Sequence, residues 1–399
     1  MDEAIAAVHR AFRAEHGRTV SILLRMLGDL DAAEDAVQDA FLAAAETWPR
    51  QGVPPNPQAW IVAAARNRAI DRIRRARTEA RFAPMLVEDP SVPDPAGAED
   101  DELRMMLLCT HPSLSPETQV VLTLRFVGGL TVPEIARALG AAEASVAQRL
   151  SRAKRKIREA RIGLPEPGRI SDRLDVLLAV TYAIGNEGYV TTAGPLSRLD
   201  LSQEAVRLAR LIAGRARGEP EAVGLLALLL LLRARLPARA ADDGRLVPLP
   251  EQDRGRWDRT MIAEGHALVR ECLALARPGP YQLQAAIQAV HCDAACDAET
   301  DWGQILALYD MLLPMLPTAA VRTGRLVALS RVEGPEAALS QMDPAGEDRY
   351  GMALRADLLA RSGRGALARD LFQRAAGMAE NEAEREHLRR RAREAGGEG

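Results

Sequence analysis

From Leu130 to Ile157 the apolar positions recur at helical spacing on either side of a short break, and the pattern predicts two helices joined by a tight turn. Thr131 and Glu134 have the spacing of a capping box, in which each side chain satisfies a free amide of the other. Val132, Ile135, Ala136 and Leu139 follow on one face. Gly140 ends this first helix. The second begins near Ala142, with Val146, Leu150, Ala153 and Ile157 on one side and Ser145, Gln148, Arg149, Arg152 and Lys156 directed away. Ala142, at the expected N-cap, offers no side-chain acceptor, which costs the helix about 1 kcal/mol. The basic run from Arg149 to Arg161 is interrupted by a single acid, Glu159. A polar, cationic face behind a capped partner helix fits a DNA major groove better than it fits an ordinary solvated helix.

The same periodicity predicts three or four helices over residues 3 to 77. Leu30 to Trp48 is acidic at its start (Asp31, Glu34, Asp35 and Asp39), which suits the positive end of the helix dipole, and Ala33, Val37, Ala40, Phe41 and Ala44 form its apolar stripe. A loop with Pro54, Pro55 and Pro57 leads to a helix over Gln58 to Arg77 that turns basic at Arg66, Arg68, Arg72, Arg74, Arg75 and Arg77. Residues 78 to 102 break the pattern with Pro90, Pro93, Pro95 and Gly97 among acids, and read as a linker. Residues 170 to 395 read as a succession of helices with short turns, the signature of an α-solenoid, with an irregular bundle as the alternative. Ala356, Leu359, Gly363, Ala368, Phe372 and Ala375 fall at the spacing of one tetratricopeptide repeat.

The chain has 399 residues, room for about two to four domains. Scarce aromatics, at 4%, and few β-branched runs favour an all-α fold class. The net charge of -3 does not argue against nucleic acid, because the cations are concentrated in two helices. Cys109, Cys272, Cys292 and Cys296 are too few for a disulfide framework, so a reducing, cytoplasmic setting is expected. Cys109 and His111 read as structural. His291, Cys292 and Cys296 lack a fourth ligand at zinc-like spacing and are expected as packed core, so no metal and no cofactor is expected. Met1 to Ala7 does not read as a signal peptide, and the apolar run Val223 to Leu232 is half a membrane span and reads as a buried helix.

The segments "DAAEDAVQDAFLAAAETWPR" and "PQAWIVAAARNRAIDRIRRAR", with the proline loop between them, resemble region 2 of the extracytoplasmic-function sigma factors of bacterial RNA polymerase. The helix-turn-helix, with "HPSLSPETQVVLTLRFVGGLT" before it, resembles their region 4. The resemblance implies that Glu34, Asp35, Gln38 and Asp39 bind the clamp helices of the polymerase β′ subunit. It implies that the loop from Arg50 to Asn56 holds a flipped base of the minus-10 element, and that Arg66, Asn67, Arg74 and Arg75 track the opened strand. Ser145, Gln148, Arg149, Arg152 and Lys156 would read the minus-35 element. Ala147 and Gln148 stand where many members have lysine and serine. "ASVAQRLSRAKRKIREA", followed by "AVTYAIGNEGY", "ADDGRLVPLPEQDRGRWDRTMIAEG", "RPGPYQLQAAIQAVH" and "TDWGQILALYD", resembles the subgroup with a long tetratricopeptide-like extension.

The implied organisation is region 2 over residues 1–80, a flexible acidic linker over 81–102, region 4 over 103–165 and a helical extension over 170–399. The expected function is a sigma factor that binds polymerase core and directs it to promoter DNA, with the extension modulating activity and holding a protein or peptide partner. A helix-turn-helix regulator that never enters the polymerase is the alternative. An enzyme is not expected: Asp242, Asp243, Arg245, Glu251 and Asp253 cluster at one loop, but neither a nucleophile with its base nor a phosphate loop accompanies them. Asp242, Asp243, Gly244 and Arg245 are instead expected to form a control loop, in which Gly244 permits an unusual backbone and Arg245 offers a planar fork to a carboxylate. Asp243 replaces the first glycine of the Asp-Gly-Gly-Arg that the resembling subgroup shows.

Overall fold

Short polar side chains that accept from free amides set many of the helix starts. Asp29, Asp258, Asp301, Thr318, Asp348 and Asn381 each stand at an N-cap and accept from an amide two or three residues on. The structure, a computed structural model, describes residues 2–79, 98–165, 170–189, 199–342 and 348–397. Its elements are α1 (Asp2–Leu27), α2 (Leu30–Gln51), α3 (Pro57–Glu79), α4 (Ala98–Cys109), α5 (Pro116–Phe126), α6 (Val132–Ala138), α7 (Glu143–Glu159) and α8 (Leu174–Tyr189). There follow α9 (Leu199–Arg215), α10 (Pro220–Ala234), α11 (Arg259–Leu275), α12 (Pro280–Asp293), α13 (Trp302–Met315) and α14 (Ala319–Val332). The last are α15 (Pro335–Ser340), α16 (Arg349–Arg361), α17 (Gly365–Met378) and α18 (Glu382–Ala395). Among the described residues the only β pairing is one isolated bridge, Ala240 to Leu246, so the all-α expectation holds.

Contacts divide the chain into two units, residues 1–137 with 141–181, and residues 182–399 with 138–140. In the first, α1, α2 and α3 pack on one another, and the apolar stripe of α2 is buried at Ala33, Val37, Ala40, Phe41 and Ala44. Trp48 closes this core, edge-on to Trp60 with ring centres 5.7 Å apart. The same α1 packs against α4 and α5. Gly17, in mid-helix, is required there: a Cβ would lie 2.5 Å from the Phe126 carbonyl oxygen. Ser21 donates to the Asp101 carbonyl at 2.7 Å, and Arg25 pairs with the Asp101 carboxylate at 3.0 Å.

Two expected boundaries move. The linker expected over 81–102 ends early, because α4 begins at Ala98 and Asp101 is buried against α1. Residues 80–97 lie outside the described residues. The extension expected from residue 170 separates later as a packing unit, since Ile170, Leu174, Leu177 and Leu178 are buried in the first unit and Arg173 donates to the Leu107 carbonyl at 2.8 Å.

In the second unit each helix packs on the next, as in a solenoid. The run Val223 to Leu231 in α10 is buried against α9, α11 and α12. Glu221 caps α12 from this neighbouring helix, accepting from the Tyr281 and Gln282 amides at 3.0 and 3.2 Å. The predicted tetratricopeptide-like pair is α16 and α17, joined at Gly363 (φ +77°), with Ala356, Leu359, Ala368, Phe372 and Ala375 in one apolar cluster that also takes Leu388 and Ala392 of α18. Among the described residues no helix is long and apolar enough to cross a membrane.

Candidate nucleic-acid and polymerase interface

The capping box forms as its residues require: the Thr131 amide donates to Glu134 Oε2 at 2.8 Å and the Glu134 amide to Thr131 Oγ1 at 3.4 Å. Gly140, at φ +59°, ends α6, and Ala142 caps α7 without a side-chain bond. Val146, Leu150, Ala153 and Ile157 are buried, so Ser145, Gln148, Arg149, Arg152 and Lys156 all face out and are exposed together. Lys156 Nζ donates to the Ser113 carbonyl. Beside it, a pocket of about 400 Å³ is lined by His111, Lys156, Arg161 and Arg173, with no carboxylate in its wall among the described residues.

On α2, Asp35, Gln38 and Asp39 are exposed as expected, and Arg68 of α3 approaches Asp39 at 3.9 Å. Glu34 is not exposed. Its residue is 6% accessible, and its carboxylate accepts from Arg125 Nε at 2.8 Å, Arg125 Nη2 at 2.5 Å and Lys154 Nζ at 3.1 Å. Burial alone would raise the Glu34 carboxyl, but the charges and hydrogen bonds of Arg125 and Lys154 outweigh it and hold it below the ordinary glutamate value. One turn earlier, Asp31 pairs with Lys154 at 2.6 Å and with Arg158 at 2.9 Å. His16 of α1 is fully buried nearby, and burial, then the Arg125 charge, lower its pKa to about 3, so it is neutral.

Arg125, Lys154, Arg158 and Asp31 were not among the site residues expected from sequence. A signal for one of them was present: Arg125 is the only charge in "VVLTLRFV", and a charge within an apolar run needs a partner when that run is buried. Arg66 is half-buried and Asn67 exposed on α3. Arg74 and Arg75 lie on the same helix, with side chains outside those described.

The expected control loop is a tight backbone turn. Ala241 and Gly244 amides donate to the Arg245 and Ala241 carbonyls at 2.9 Å, and the Arg245 amide donates to Asp243 Oδ1 at 2.9 Å. Gly244 takes φ +81°, as its place in the turn requires. Asp242 is exposed and lies 4.0 Å from Arg256. The carboxylate expected for Arg245 is absent: its exposed guanidinium pairs with none among the described residues. Of the cysteines near His291, Cys292 is buried in the core with Leu231 and Trp257, whereas Cys296, also expected in the core, is exposed. The His291 ring packs on Trp302 instead, with centres 5.3 Å apart.

Comparison with known proteins matches three stretches of the chain. Residues 11–79 match the Sigma-70 region 2 family, residues 104–157 match Sigma-70, region 4, and residues 173–273 match a family of unknown function, DUF6596. An uncharacterised protein of Rhizobium meliloti is 40% identical over 93% of this chain and 92% of its own length. The ECF RNA polymerase sigma factor SigL of Mycobacterium tuberculosis is 34% identical over 39% of this chain and 89% of its own length. For the probable sigma factor SigI of the same organism the identity is 34% over 56% of its length. No solved structure matches. With both regions matched in order and most of a sigma factor covered, the chain belongs to the extracytoplasmic-function sigma factors of RNA polymerase, as a member with a long helical extension.

Proposed function

We propose that this sigma factor binds polymerase core through α2, at Glu34, Asp35, Gln38 and Asp39 against the β′ clamp helices, and reads a two-part promoter. In this reading the Arg50 to Asn56 loop and Arg66, Asn67, Arg74 and Arg75 of α3 hold the opened minus-10 strand. Ser145, Gln148, Arg149, Arg152 and Lys156 of α7 read minus-35. The observation that carries it is the α7 face: five polar residues exposed together on a helix that buries Val146, Leu150, Ala153 and Ile157 on its other side. The pocket of Lys156, Arg161 and Arg173 supports a DNA phosphate at the end of that helix.

The extension acts as an integral regulatory module, with the Ala241 to Arg256 segment as its control point and a protein or peptide as its partner. Arg245, exposed and without a carboxylate partner among the described residues, is the group that supports a partner there. The test is open-complex formation by purified full-length protein with core polymerase on its own upstream DNA, beside Arg245→Ala. Promoter opening is expected with the wild type, and a change in it, either way, with Arg245→Ala at unchanged circular dichroism. Absence of core binding removes the proposal, and an Arg245→Ala protein of unaltered activity removes the control point.

A further inference from the structure

An acidic helix face that recruits a partner needs cations opposite it, and in this structure α2 already has them. Arg125 of α5, Lys154 and Arg158 of α7 and the neutral His16 of α1 surround the carboxylates of Asp31 and Glu34. Arg125 and Lys154 lie within the residues that match region 4 and Arg158 directly follows them, while both acids lie within the residues that match region 2. The approach does not rest on charge alone, because Gly17 lets α1 lie against the end of α5 where a Cβ would meet backbone at 2.5 Å.

Resting on the reading of α2 as the polymerase-docking helix, we propose that region 4 is the chain's own occupant of that helix. Arg125, Lys154 and Arg158 stand in for the cationic surface of the polymerase and close a self-latch over Asp31 and Glu34. Asp35, Gln38 and Asp39 remain exposed and offer a first landing site. Core polymerase gains Glu34 only by displacing α5 and α7, so latch opening and core binding are coupled, and anything that stabilises one arrangement opposes the other. The latch holds through the back of α7: Lys154 and Arg158 are used, while the proposed base-reading residues stay exposed. The closed form therefore guards polymerase binding rather than the DNA face. Opening frees Arg125, Lys154 and Arg158.

The test uses the full chain with Cys296→Ser, which removes the exposed thiol and leaves the buried ones, and spin labels at Leu42→Cys on α2 and Arg155→Cys on α7, both exposed. The label-to-label distance and the rate of association with core polymerase, without DNA, are measured for three forms. The parent is expected to give a single short distance. Lys154→Gln with Arg158→Glu is expected to give a longer, broader distribution and association faster by about fivefold or more. Adding Asp31→Arg, which re-pairs with the new glutamate, is expected to restore both values, which a merely unfolded protein would not do. Gly17→Ala, which favours the helix but pushes against α5, is expected to open the latch with its charges intact. An unchanged distance in both opening variants overturns the latch. A lengthened distance with unchanged association overturns its role as a guard. If no form binds core while the distances respond as expected, it is the docking role of α2 that fails, and the guard fails with it.

Discussion

Glu34 keeps its charge out of water because two cations reach it, so its neighbours are the most sensitive single positions in the first unit. Arg125→Ala removes the two-point bond and leaves a buried carboxylate with Lys154 as its one cation and a long Gln38 contact at 3.4 Å, and is expected to cost about 3 kcal/mol in urea unfolding. A loss under about 1 kcal/mol would mean that the carboxylate hydrates freely. Charge reversal at both Glu34 and Asp35, harmless on the exposed face expected from sequence, would disturb the fold through Glu34. Asp35→Lys alone is the cleaner probe of polymerase binding. On α7, Arg152 is exposed and its fork can meet two acceptors on one guanine edge. Arg152→Ala is expected to weaken minus-35 binding by about 1–3 kcal/mol and to relax preference at one base pair in a binding assay across site variants. Uniform weakening on all sequences would reassign it to phosphate.

At the scale of elements, α7 starts without a capping side chain, although α6 before it has a full capping box. Ala142→Ser is expected to raise stability by about 1 kcal/mol in thermal or urea unfolding without altering the exposed face. No gain would show that the Ala142 backbone, at φ -70° and ψ 138°, does not present the new hydroxyl to the α7 amides. Helices α2, α6, α7, α16 and α17 were legible because their apolar periodicity, caps and turn glycines agree. The start of α4 was not. Its acids read as linker, and Asp101 is held by Ser21 and Arg25, about eighty positions away in sequence.

For the whole molecule, both units hold histidines whose burial favours the neutral form. His16 and His291 are lowered to about 3, by burial first and then by Arg125, or by Arg235 and Arg254. His387 is lowered to about 4 by burial, then by Arg390 and Arg391. Below the ordinary value of 6.5 the unfolded chain binds protons that the folded chain refuses, so stability falls as pH falls toward those depressed values. Each such histidine contributes on the order of 1 kcal/mol of loss per pH unit. Unfolding midpoints measured from pH 7 to pH 4 are expected to drop in both units, beginning above the range where carboxylates titrate. His16→Gln is expected to flatten the dependence in the first unit, and an unchanged slope would remove that assignment.

The sequence by itself determined the elements and the family, because periodicity, caps and motif order are local and are written in neighbouring residues. It also determined the face that α7 presents, since burial of Val146, Leu150, Ala153 and Ile157 leaves the polar residues no other direction. Only the tertiary structure decided which charges are buried. Glu34 and Asp35 are adjacent in sequence and alike in chemistry, yet one is buried between Arg125 and Lys154 and the other is exposed. The cause lies about ninety and one hundred and twenty positions downstream, where two cations come within hydrogen-bonding distance of one carboxylate, and a pairing at that separation leaves no periodic trace.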